Sequence, residues 1–161
     1  MLHKGAKTPA RGGEVRYGGS VEGCPICEKH EGNGMLVGEL LFEDERVLVS
    51  HAPPGVVGGY LGYFFVDAKR HARGLADLED DEACALARVV TRLAKALERD
   101  GAEHVYAFTF NHIPHHHVHV VARHPGTPRE FWGPRVDEWD DAPRGDATKV
   151  AALCDRLRTA F

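Results

Sequence analysis

His115-His116-His117-Val118-His119-Val120-Val121 is the stretch from which the rest of the chain is best read. Its β-branched residues suit a strand, in which side chains alternate between two faces. His115, His117 and His119 then share one face, while His116, Val118 and Val120 share the other, which should be buried. At about 3.3 Å per residue, alternate imidazoles stand roughly 6–7 Å apart. Near neutral pH an imidazole is both a nucleophile and a proton carrier. Attack on a phosphoryl group would give a phosphoramidate and split one hard displacement into two easier ones. Neighbouring N–H groups would stabilise the phosphate oxygens. The same spacing also suits a catalytic zinc with histidine ligands and a water, or a histidine-rich surface strand without chemistry. Spacing alone leaves all three open.

Working outward, residues 103–110 and 115–122 read as two strands joined by the turn Asn111-His112-Ile113-Pro114. Upstream, 80–99 carries Leu86, Val90, Leu93 and Leu97 at helical spacing, with Asp80, Asp81 and Glu82 at the end where negative charge is favoured and Gly101 just beyond the stop. Residues 36–43 and 46–51 are apolar and β-branched around an acidic turn, which suits a hairpin. Residues 52–59 are Pro/Gly-rich loop, and 60–66 read as a third strand. The segment 147–157 has helical spacing again. The order β-β-β-α-β-β-α implies an α+β fold with an antiparallel sheet of about five strands.

A chain of 161 residues suits one domain. Residues 1–20 are rich in Gly, Lys and Arg and read as a flexible arm; 21–161 read as the domain, with an irregular extension from about 124. A net charge of −4 argues against a general nucleic-acid or anionic-membrane partner. No apolar run reaches the eighteen or so residues of a membrane span. Lys4, Lys7 and Arg11 are not followed by an apolar stretch, so no secretory signal is read there and a cytoplasmic, thiol-reducing location is expected. Cys84 and Cys154 are lone cysteines in helix-like segments and suit packing. Cys24-Pro25-Ile26-Cys27 has the spacing of a zinc knuckle, whose two remaining ligands would have to be histidines. A redox pair or two packed thiols are the alternatives.

The run H-x-H-V-H-V-V resembles the H-φ-H-φ-H-φ-φ signature of the histidine-triad (HIT) family, with His116 a mild departure at the first φ. The order of elements over about 22–125 is similar too. The resemblance implies that His117 is the nucleophile, forming a nucleotidyl-histidine with the α-phosphate, and that His119 contacts the phosphate and assists the leaving group. The related uridylyltransferases carry Gln at the third position; His119 favours the branches that hydrolyse dinucleoside polyphosphates or nucleoside phosphoramidates. A non-catalytic nucleotide-binding or sensor module, or a nucleotidyltransferase or phosphorylase, is the alternative on the same fold. The resemblance also implies a structural zinc on Cys24, Cys27, His71 and His115, with His30 a rival to His71, since C-x-x-C-x-x-H fits one local turn. It further implies phosphate contacts from Asn111 and His112, although this turn is shorter than the Gly-rich loop of many relatives. His51 falls about where relatives hold the ribose with Asp or Asn. A homodimer joined through its sheets is implied as well. Arg123, Arg129 and Arg135 could fork a phosphate, and Phe131, Trp132 and Trp139 could stack or pack the tail over the sheet.

Overall fold

The computed structural model describes residues 20–161; the arm expected over 1–20 lies outside them except for its last residue. The chain runs through α1 (Pro25–His30), β1 (Leu40–Glu43), β2 (Val47–His51), α2 (Pro54–Val57), β3 (Tyr63–Ala68), α3 (Asp80–Arg99), β4 (His104–Phe108), β5 (His117–Arg123) and α4 (Ala147–Leu157). The strands form one antiparallel sheet in the order β1-β2-β3-β5-β4. The α+β class and its five-stranded sheet are as the sequence implied. Two short helices, α1 and α2, were not marked by the pattern: with six and four residues they are too short to show a period.

Local chemistry explains the elements. Asp44 closes the β1–β2 hairpin, its Oδ1 accepting from the backbone N–H of Arg46 at 2.8 Å and of Val47 at 2.7 Å. The first strand starts at Leu40 rather than at 36, because the chain first passes close to β2: a Cβ on Gly38 would stand 1.8 Å from the His51 carbonyl oxygen. β3 starts at Tyr63, not at 60, because Gly62 bends the chain at φ +87, and a Cβ there would stand 2.8 Å from that of Ala122. α3 spans the bounds its period implied, with Glu82 reaching back to the Glu79 N–H at 2.9 Å. Asp146 caps α4 by accepting from Lys149 N–H at 3.1 Å.

The sheet has two unlike faces. Phe64, Val66 and Val120 point into a core completed by Leu86 and Leu93 of α3 and Leu153 of α4. Each such side chain contributes about 1.5–3 kcal/mol by leaving water. Tyr63, Phe65 and Asp67 of β3 lie on the other face, beside His119 and His117 of β5. The stretch from 124 to 145 packs over one end of that face, with Val136 and Ala142 against Tyr60, Phe65 and Val121. Arg144 pins this stretch by donating to Asp137 O at 2.7 Å and Val57 O at 3.1 Å. The other end is left to α1 and to the loop that precedes β5. Among the described residues no helix is long and apolar enough to cross a membrane.

Candidate functional site

The histidine row is broken at its first member. β5 begins at His117, and His115 belongs to the approach. Pro114 has no N–H and a fixed φ. The His115 N–H instead closes a tight turn onto Ile113 O at 2.7 Å. His116 returns to the sheet edge, bonding through its N–H to Ala72 O at 2.6 Å and through its carbonyl to the Ala68 N–H at 3.1 Å. The strict alternation expected over 115–119 therefore holds for His117 and His119, while His115 turns toward α1.

There His115 is fully buried beside the paired cysteines. Cys24 is the N-cap of α1 and Cys27 lies in it, so one short helix presents both thiols. His115 Nδ1 lies 3.4 Å from Cys24 Sγ and 3.5 Å from Cys27 Sγ, and His71 Nδ1 lies 3.4 Å from Cys27 Sγ. A tetrahedral zinc with Zn–S near 2.3 Å and Zn–N near 2.05 Å separates S from N by about 3.6 Å. The four donors thus sit almost on the vertices of such a site, all within 4.8 Å of one another. His115 Nε2 meets Ala68 O at 2.6 Å, the carbonyl partner that fixes a ligand imidazole's orientation and leaves Nδ1 toward the thiols. His30 points elsewhere, to the Asp67 carboxylate at 3.2 Å. Burial pushes the Cys27 thiol up from its ordinary value, the opposite of what a redox-active cysteine needs. The residues present fit a closed zinc site.

His117 and His119 face a separate cavity of about 160 Å³. His117 Nδ1 bonds to His115 O at 2.8 Å, which assigns the proton to Nδ1 and turns a bare Nε2 outward. Burial lowers the pKa of His117, so the ring is neutral near pH 7. His119 bonds through Nδ1 to the Tyr63 hydroxyl at 2.8 Å, and its Nε2 is buried without a partner among the described residues. Burial, with His117 and His112 adding to it, pushes His119 down to about 4. The two rings lie 5.0 Å apart. Phe108 stacks on His119 at 5.2 Å, and Phe110 meets it edge-on at 5.1 Å. These aromatics set apolar surface against the His119 ring.

The cavity carries a feature that sequence reading missed. Lys29 of α1 and Asp67 of β3 form a buried ion pair lining the cavity, with Asp67 paired directly across the sheet from His117. Burial pushes the Asp67 carboxyl up, but Lys29 and His30 together outweigh this and hold it below its ordinary value. The available signal was an acidic residue inside the otherwise apolar run Tyr63-Phe64-Phe65-Val66-Asp67-Ala68. Ile26, Leu36, Val56 and Phe65 add apolar surface to the lining.

Of the expected phosphate and ribose contacts, the structure brings one to this cavity. His112 lines it, with its ring 5.8 Å from His117 and 6.3 Å from His119. Asn111 adopts a left-handed φ of 52 and lines a neighbouring depression with Arg73. His51 is fully buried, with Nδ1 bonded to Ala52 O at 2.8 Å and Nε2 accepting from the Gly62 N–H at 3.1 Å. Both its ring nitrogens are spent on the backbone, and it does not reach the cavity. Arg123 stacks on Trp132 at 3.9 Å and pairs with Glu103, serving the tail.

Residues 39–126, more than half of the chain, match the HIT domain family model. The chain belongs to the HIT domain family. Solved HIT structures share its fold. A histidine triad protein from Sinorhizobium meliloti is 18% identical with a TM-score of 0.61, over 83% of this chain and 94% of that one. A HIT-like protein from Bartonella henselae, described as involved in cell-cycle regulation, is 18% identical with a TM-score of 0.58, over 83% and 91%. A zinc-bound histidine triad family protein from Mycobacterium smegmatis is 21% identical with a TM-score of 0.57, over 85% and 89%. No curated protein sequence matches the chain. HIT proteins in general bind nucleotides and act as hydrolases or transferases, and the Cys24–Cys27–His71–His115 cluster is compatible with zinc.

Proposed function

We propose that this HIT protein hydrolyses nucleotide phosphoanhydride or phosphoramidate bonds, in dinucleoside polyphosphates or nucleoside phosphoramidates, through a nucleotidyl-His117 intermediate. The observation that carries this reading is the fixed tautomer of His117: Nδ1 is tied to His115 O at 2.8 Å, and Nε2 faces a cavity that also holds His119. His117 Nε2 attacks phosphorus as the bond to the leaving oxygen or nitrogen breaks, and the departing group takes up a proton. His119 contacts the phosphate and assists that departure, with Tyr63 fixing its ring. Water then attacks the phosphoramidate, frees the nucleoside monophosphate and restores neutral His117. His112 supplies a further donor to the phosphate oxygens, and Asn111 shapes the loop that carries it. The ribose is held without His51.

Zinc on Cys24, Cys27, His71 and His115 is structural in this reading, because four protein ligands leave no position for water. It would fix His115, whose carbonyl orients the nucleophile. The protein acts as a homodimer. Among the described residues both β1 and β4 are sheet edges, and since Arg158 donates to Leu40 O at 2.8 Å on β1, the β4 edge is the one proposed for joining. A cytoplasmic location suits the four free cysteines. The test is turnover of adenosine phosphoramidate and diadenosine polyphosphates by the wild type and by His117→Ala. Cleavage by the wild type, abolished in a folded His117→Ala protein, is the expected result. Wild-type turnover in the variant overturns the mechanism, and tight nucleotide binding without any turnover supports the sensor alternative.

A further inference from the structure

His112 is the residue that the covalent chemistry uses least, and it changes what the site can bind. It brings a third imidazole to the two that chemistry needs. The candidate ligand atoms of His112, His117 and His119 all lie within 4.8 Å of one another. His117 bonds through Nδ1 to a carbonyl, and His119 through Nδ1 to the Tyr63 hydroxyl. Each ring is thereby left with its Nε2 for the cavity. An N–H tied to a carbonyl or another polar oxygen is also the outer-shell arrangement that orients a metal-ligating histidine. His119 Nε2 is a buried nitrogen with no partner among the described residues, a position that costs free energy unless something binds there.

We infer that His112, His117 and His119 form a second metal site, one that takes zinc or a similar borderline divalent cation and is distinct from the Cys24–Cys27–His71–His115 cluster. Three imidazoles suit such a cation, and the cavity mouth leaves a fourth position for water or a phosphate oxygen. Tetrahedral ligands about 2.05 Å from a zinc ion lie about 3.3 Å apart, so donors now within 4.8 Å of one another need close in by no more than about 1.5 Å. His112 can supply that movement, because it is exposed on the loop before β5. Metal bound here takes the Nε2 lone pair that attacks phosphorus. Binding of metal and nucleotidylation of His117 are then mutually exclusive, and zinc acts as an inhibitor of the site. The proposal goes beyond the nucleotide reading, since metal stoichiometry is measured without any nucleotide.

The test is a zinc titration of the full chain, read by equilibrium dialysis with metal analysis and alongside circular dichroism. Wild-type protein is expected to bind two equivalents, one resistant to a weak chelator and one labile. His112→Gln should lose the labile equivalent and keep the resistant one with an unchanged spectrum. Cys24→Ser should do the reverse if it folds, and His112→Gln decides the matter alone if it does not. Saturating zinc should block adenylylation of His117 in the wild type and leave His112→Gln at its zinc-free level. A single equivalent in the wild type, or a second one that survives in His112→Gln, overturns the inference. Two equivalents in a protein whose His117 is never adenylylated overturn the nucleotide reading and leave the metal site standing.

Discussion

Two histidine clusters stand side by side at the head of β5, and they are built in opposite ways. The first joins His115 and His71 to two thiols: its four donors face one another, and three of the four residues are buried. The second joins His117 and His119 to the exposed His112, beside an apolar wall and a cavity. One cluster spends all its donors inward, while the other holds nitrogens outward. The contrast teaches that His-x-His-x-His here is two devices sharing a backbone. The carbonyl of His115 links them, since it fixes the tautomer of His117 while the His115 ring belongs to the thiols.

Breaking each cluster in turn should separate chemistry from stability. The largest expected effect is on turnover: His117→Ala should lower kcat by about 10³-fold or more, with a melting temperature close to wild type. Stripping metal, or Cys24→Ser, should act the other way, lowering the melting temperature by more than about 10 °C, since binding energy at a closed site is folding energy. Calorimetry of chelated protein checks this; an unchanged melting curve would show that the thiol cluster holds no structural metal.

The site was unevenly legible in sequence. α3 was legible to the residue, because twenty residues at helical period leave little freedom. The C-x-x-C pair and the triad carried their spacing on the surface of the sequence. His115 was placed on the strand because alternation alone cannot register Pro114 and the tight turn it brings. His51 looked available because a strand-end histidine carries no mark of direction; only the fold shows Gly62 closing on its ring. Lys29 and Asp67 are 38 residues apart, and nothing local announces that α1 will lie against β3.

Smaller changes sharpen the division. His119→Ala should cost about 10²-fold in kcat while leaving the metal proposed for the thiol cluster in place, as metal counting would show. Acid should weaken the fold through the same residue. Its folded pKa of about 4 lies below the ordinary 6.5, so the unfolded chain binds the proton first. Stability is then fully present above about 6.5 and is lost progressively toward about 4. His119→Gln should flatten that part of a pH–stability profile. The smallest effect is expected from Tyr63→Phe, which removes the hydroxyl at 2.8 Å from His119 Nδ1 and should cost about 10-fold or less in kcat with binding little altered.

The proposed nucleotidyl-His117 intermediate offers the most direct measurement. Protein incubated with adenosine phosphoramidate, quenched, digested and read by mass spectrometry should carry one adenylate on the peptide spanning 115–123, fragmentation should place it on His117, and His117→Ala should carry none. An adenylate on another residue, or rapid product release with no labelled His117 under any quench, would contradict the assignment of the nucleophile.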